Sequence, residues 1–192
     1  MGLKDKMPYL LAATVVVFSI LVAIAYSNGF SSVSGFLMRV FALWGYTSMS
    51  IATISTPFIR EIREYFGVVF LKFHHAFAAF GLVFISLHPI TLAIRTSNLM
   101  IFIPSFGSWY SFWSLAGRPA LIIIYVAVAG FYLRRKIPDY WRQVHALMYF
   151  ALFFGIVHGN LIGTDFNHPV ISVFFNLLFL ISISAYILKR RK

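Results

Sequence analysis

Two stretches decide how this chain is read: HHAFAAFGLVFISLH, residues 74–88, and HALMYFALFFGIVH, residues 145–158. Both begin and end on histidine, and in the first only Ser86 adds another polar side chain. Five of the six histidines fall in these two apolar runs at nearly equal spacing. An ionisable ring is costly in hydrocarbon and is kept there where it serves a function.

The surrounding composition makes hydrocarbon the expected solvent. Of 192 residues, 60% are hydrophobic and 11% charged, too few polar groups to cover a soluble core. Several runs approach the ~20 helical residues that cross a ~30 Å hydrocarbon layer. The net charge of +11 does not point to nucleic acid, because the bases sit in short segments between apolar runs. With no cysteine, disulfides, iron–sulfur clusters and thiolate ligation are excluded. The basic start and apolar core of MGLKDKMPYLLAATVVVFSILVAIAYSNG look like a signal peptide. The run is long for one and no A-x-A-like site follows, so a retained helix is expected.

Breakers divide the chain into six expected membrane helices, at about 8–27, 35–58, 69–94, 118–135, 140–162 and 168–188. They include Ser27-Asn28-Gly29, Thr56-Pro57, Gly117-Arg118-Pro119 and Asn167-His168-Pro169. The expected fold is thus a six-transmembrane-helix, all-α integral membrane protein forming a single domain over 1–192. Alternate connections collect 13 of the 16 bases on one side: Lys4, Lys6, Arg60, Arg63, Lys72, Arg134, Arg135, Lys136, Arg142 and the 189–192 tail. Arg39, Arg95 and Arg118 remain on the other. The positive-inside rule then puts both termini in the cytoplasm of a cell whose plasma membrane holds the chain. The long outer connection, about 96–117, is aromatic and nearly uncharged, which suits the membrane interface.

In this topology the third and fifth helices run in the same direction. His74 and His145 come near the cytoplasmic side, His88 and His158 near the outer side. Fourteen residues between His74 and His88 make ~3.9 turns and ~21 Å of rise, so both rings share a face. Thirteen residues between His145 and His158 leave those rings ~140° apart on an ideal helix. A tilt, a bulge near Gly155 or a side-chain swing is needed to absorb the difference. Two facing imidazoles at each level, without cysteine or carboxylate, suit a heme iron with axial nitrogen ligands. Zinc would want four ligands in a tetrahedron. Phe73, Phe77, Phe80, Phe84, Phe150, Phe153 and Phe154 supply bulk, and Ala76, Gly81, Ala151 and Gly155 supply room. His75 is the alternative to His74 as inner ligand, and His168 belongs to the outer surface. Arg95 and Arg118, bases against the charge bias, are candidates for heme propionate or acceptor contacts outside. Arg134, Arg135, Lys136, Arg142 and Lys72 are the corresponding inner cations.

The pattern His74-x13-His88, then WRQVH and HALMYFALFFGIVHG, resembles the ferric reductase-like transmembrane domain of ferric-chelate reductases and NADPH oxidases. GYTSMSIATISTPFIREIREYFG, residues 45–67, resembles that family's second helix and following turn. The resemblance covers about residues 35–190. It implies a six-helix bundle with two b-type hemes between helices three and five, the inner on His74 and His145, the outer on His88 and His158. No flavin or nicotinamide domain is expected in these 192 residues, so FAD would belong to a separate flavoprotein donor. The expectation is a diheme cytochrome passing electrons from that donor to an outer acceptor such as ferric iron or oxygen. A membrane quinol feeding an extracytoplasmic reductase through the same hemes, and a heme-free transporter or assembly subunit, are the other two readings.

Overall fold

The structure is a computed structural model and describes residues 7–58, 60, 64 and 69–190. Lys4, Lys6, Arg63, Arg191 and Lys192, part of the charge asymmetry, lie outside the described residues. Among the described residues all regular structure is helical: α1 (Met7–Ser27), α2 (Val33–Ser55), α3 (Val69–Thr96), α4 (Trp109–Ser114), α5 (Gly117–Tyr132), α6 (Trp141–Ala146), α7 (Met148–Ile162) and α8 (Pro169–Arg190). Short 3-10 turns occupy Thr56–Phe58, Leu99–Phe102 and Thr164–Asn167.

Local chemistry explains the boundaries. After α1 the chain turns at Gly29, whose φ of 113° is open to glycine at little cost. Ser32 then caps α2 by accepting from the Gly35 N–H at 3.1 Å. The connection at about 96–117 carries helical structure of its own. Asn98 starts a 3-10 turn, and Ser108 with Ser111 forms a reciprocal capping box that nucleates α4.

Three helical stretches are long and apolar enough to cross a membrane: Lys72–Thr96, Trp141–Ile162 and Pro169–Leu188. They make this a membrane protein. Ala12–Ser27 and Gly117–Tyr132 are apolar over shorter lengths. Helix α2 has the length but carries Arg39 and a run of hydroxyls, and these turn inward: Thr47, Ser48, Ser50, Thr53 and Ser55 are buried. Ser48 and Thr53 donate to carbonyls one turn back, at 2.7 Å each, which satisfies them without a partner helix.

Helix α2 is the hub. Its longest packing is against α3, and it also meets α1, α7 and α8. Small residues set the α2–α3 approach: a Cβ on Gly45 would stand 2.7 Å from the Ile85 nitrogen, and one on Gly81 would stand 3.0 Å from the Met49 nitrogen. Across the molecule α7 packs against α5, α4 and α8. Helices α3 and α7, which carry His88 and His158, hardly touch each other. A gap therefore runs between them, with α2 along one side.

The expected fifth helix is two helices. Between α6 and α7 the Leu147 N–H bonds the Val144 carbonyl three residues back, at 3.1 Å. In such a tightened turn each residue advances by about 120° instead of about 100°, so three of them recover roughly 60° of the phase error between His145 and His158. The irregularity thus lies at Leu147. Gly155, where a bulge was one of the three options, lets α7 approach the Tyr46 ring, 3.1 Å from where its Cβ would be.

Candidate functional site

Four histidines share one arrangement. The Nδ1 of His74 lies 2.9 Å from the Ala52 carbonyl and that of His88 lies 2.9 Å from the Met38 carbonyl, both on α2. The Nδ1 of His145 lies 3.0 Å from the Ala127 carbonyl on α5, and that of His158 lies 2.7 Å from the Ser114 carbonyl on α4. A carbonyl only accepts, so each Nδ1 carries the proton and donates. In its neutral form a ring held this way keeps an Nε2 lone pair, the tautomer that a metal-binding histidine has when its other nitrogen is tied down. The partner atoms come from helices next to the one bearing each ring, so ring orientation is set by the bundle. Ser114 is the last residue of α4, where helical carbonyls lack intrahelical partners.

His88 and His158 are brought together. The His88 and His158 rings have centroids 6.5 Å apart and planes inclined by 69°. They line a cavity of about 320 Å³ together with Met38, Tyr46, Leu115 and Arg118. A Cβ at Gly117 would sit 3.0–3.2 Å from three atoms of the His158 ring, so a side chain there would press on the imidazole. Trp113 stacks on Phe154 at 5.5 Å and 16°, forming an aromatic wall where α4 meets α7. The Arg118 guanidinium donates to the carbonyls of Met100 and Ile103, at 3.2 and 2.8 Å, fastening the 99–103 turn over this end. Ile101 of that turn is buried and also lines the cavity.

His74 on α3 and His145 on α6 make up the other pair. Phe131 of α5 lies beside both His75 and His145, with centroid distances of 5.8 and 5.9 Å. The Arg134 guanidinium carbon lies over the same ring, 4.5 Å from the Phe131 centroid. His75 is exposed and makes no hydrogen bond among the described residues, whereas His74 also has Ser55 and Thr56 hydroxyls at 3.4 Å.

The remaining sequence candidates separate. Arg118 lines the cavity; exposed Arg95 does not, and its guanidinium lies over Gly35 at the start of α2. His168 ends the 164–167 turn, donating its backbone N–H to the Asp165 carbonyl at 3.0 Å. Its Nδ1 is buried without a hydrogen-bond partner among the described residues.

Sequence reasoning missed Asp165. It is 5% exposed, lines the cavity, and accepts a two-pronged contact from Arg39 through Nε, at 2.9 Å, and Nη2. The same guanidinium donates to the Gly29 and Ala25 carbonyls at 2.6 Å each, and Asn28 donates to Asp165 at 3.3 Å. The end of α1, α2 and the 164–167 turn are thereby tied in one knot. The available signal was charge pairing: Asp165 is the lone acid on the side assigned to Arg39, Arg95 and Arg118.

Among the described residues no three His, Cys, Asp or Glu side chains gather as a metal site. In comparisons with known proteins, no family model, no curated protein and no solved structure matches the chain.

Proposed function

We propose that the chain is a transmembrane diheme b-type cytochrome, ferric reductase-like in plan, that moves electrons from a cytoplasmic-side donor to an outer acceptor. The observation that carries this reading is the repeated histidine arrangement: four intramembrane rings, each with Nδ1 donated to a backbone carbonyl and Nε2 left as a ligand. The outer pair also fits by distance. Two metal–nitrogen bonds of ~2.0 Å plus ~1 Å from each nitrogen to its ring centre put the centroids ~6 Å apart, against 6.5 Å here. Among the described residues no three His, Asp or Glu side chains gather as a metal site, so paired rings suit a porphyrin, which brings four nitrogens of its own, better than zinc.

In this reading His74 and His145 hold the inner heme, and His88 and His158 the outer. Bound there, the hemes supply one-electron carriage. The protein's own part is to hold each ring in one tautomer and one orientation, and to keep water out with the Trp113 and Phe154 wall. Arg118 offers a cation beside His158 for an anionic heme edge. Helices α1, α2, α3, α5, α6–α7 and α8 serve as six crossings, which puts both termini in the cytoplasm of a plasma-membrane protein. The donor is a separate flavoprotein carrying FAD, and the acceptor is ferric iron or oxygen.

Heme content and reduced-minus-oxidised spectra of purified variants test this. His74→Ala or His145→Ala should remove one b heme and leave the other, and His88→Ala or His158→Ala should remove the complementary one. His75→Ala should keep both. Equal heme content in all five variants would contradict the assignment.

A further inference from the structure

Helices α3 and α5 meet along a thin seam. On its inner side the seam is a wall of the cavity, made by Ile85 and Pro89 of α3 and Leu121 and Ile124 of α5. On its outer side two hydroxyls meet: Ser86 Oγ and Tyr125 OH lie 2.7 Å apart, and Tyr125 is 47% exposed. The Ser86 proton is already given to the Leu82 carbonyl at 2.7 Å, so Tyr125 is the donor in the pair. Pro89 has no N–H to return to the Ile85 carbonyl, so the helix ladder is open at this same point of the wall.

Depth limits what can use these hydroxyls. Ser86 lies ten residues before the end of α3 and Tyr125 eight residues after the start of α5, roughly 15 and 12 Å along their axes. In a hydrocarbon layer of ~30 Å that is well below the phospholipid headgroups. A partner for a phenol there must itself dissolve in the bilayer and carry an acceptor.

We propose that the α3–α5 seam binds a lipid-soluble quinone, reached sideways from the bilayer, with Tyr125 donating to a ring carbonyl and Ile85 and Ile124 behind it. This rests on reading the cavity as the outer heme site in a membrane, and it names the class of partner that approaches that site. Ser86, two residues from His88, is the resting acceptor that the quinone carbonyl replaces.

The test uses full-length protein in nanodiscs, with decylubiquinone for equilibrium binding and its aryl-azide derivative for photolabelling. Saturable binding is expected, with adducts on residues 81–92 or 120–128. Tyr125→Phe should weaken binding roughly tenfold, the loss of one hydrogen bond. Ser86→Ala, which frees the Tyr125 proton, should bind at least as tightly as the parent. Absent binding, adducts elsewhere, unchanged affinity in Tyr125→Phe, or equal weakening in both variants would overturn the seam; the last would make the hydroxyl pair a clasp between helices only. Heme counted on the same preparations separates the two ideas. Hemes without quinone binding would sink the seam alone, and quinone binding at the seam without hemes would sink the diheme reading alone.

Discussion

His74 and His75 are neighbours in sequence, yet His74 donates Nδ1 to the Ala52 carbonyl while His75 lies exposed against aromatic rings. The spacing to His88 favoured His74, and the structure adds a hydrogen-bond reason that no sequence pattern contains, since the acceptor is a backbone atom 22 residues away. The Arg39–Asp165 pair was missed for a similar cause, with only its charges as a clue: 126 residues separate its members, and Asp165 sits in a connection. With side-chain exposures of 17% and 6%, this pair is costly to break on one side only. Asp165→Ala should destabilise the fold by about 3–5 kcal/mol, because a buried guanidinium loses its counterion. Arg39→Met combined with Asp165→Leu should recover much of that loss. Denaturation midpoints in detergent measure both, and a double variant no better than the single would contradict the pairing.

At the level of elements, the apolar runs and their breakers placed the helices to within a few residues, because Gly, Pro and Asn punctuate this chain plainly. The division at Leu147 was hidden. Leucine and its neighbours are good helix formers, and the only clue was the ~140° mismatch between His145 and His158. The short α4 was hidden as well, though its Ser108–Ser111 capping box and the Ser114 carbonyl that accepts from His158 make it part of the site. The α4–α5 junction carries a specific expectation. Gly117→Val would drive a side chain into the His158 ring, whose nearest atom is 3.0 Å from the position of its Cβ. In the diheme reading this variant keeps the inner heme and loses the outer, read as a fall from two hemes to one per chain. Retention of both would mean that His158 can move without consequence.

Over the whole molecule, length and hydropathy mark three helices able to cross a membrane, and α2 scores lower because its hydroxyls are folded inward around the hub of the bundle. Burial of a polar stripe among helices lowers a segment's apparent hydrophobicity without exposing any of it to lipid, which a linear scan cannot register. The six proposed crossings make a topological prediction that a chain without cysteine is well suited to test. Ser31→Cys and Asp139→Cys are both at exposed positions. In intact cells a membrane-impermeant maleimide should label the first and reach the second only after permeabilisation. Labelling of both at once, or the reverse order, would contradict the orientation.

The central claim is that four intramembrane histidines hold two hemes, and a pyridine hemochrome assay with protein quantitation on heme-replete, detergent-purified protein tests it most directly. Two b hemes per chain is the expected result. No heme in such a preparation would contradict the claim and return the four Nδ1–carbonyl hydrogen bonds to a purely structural role.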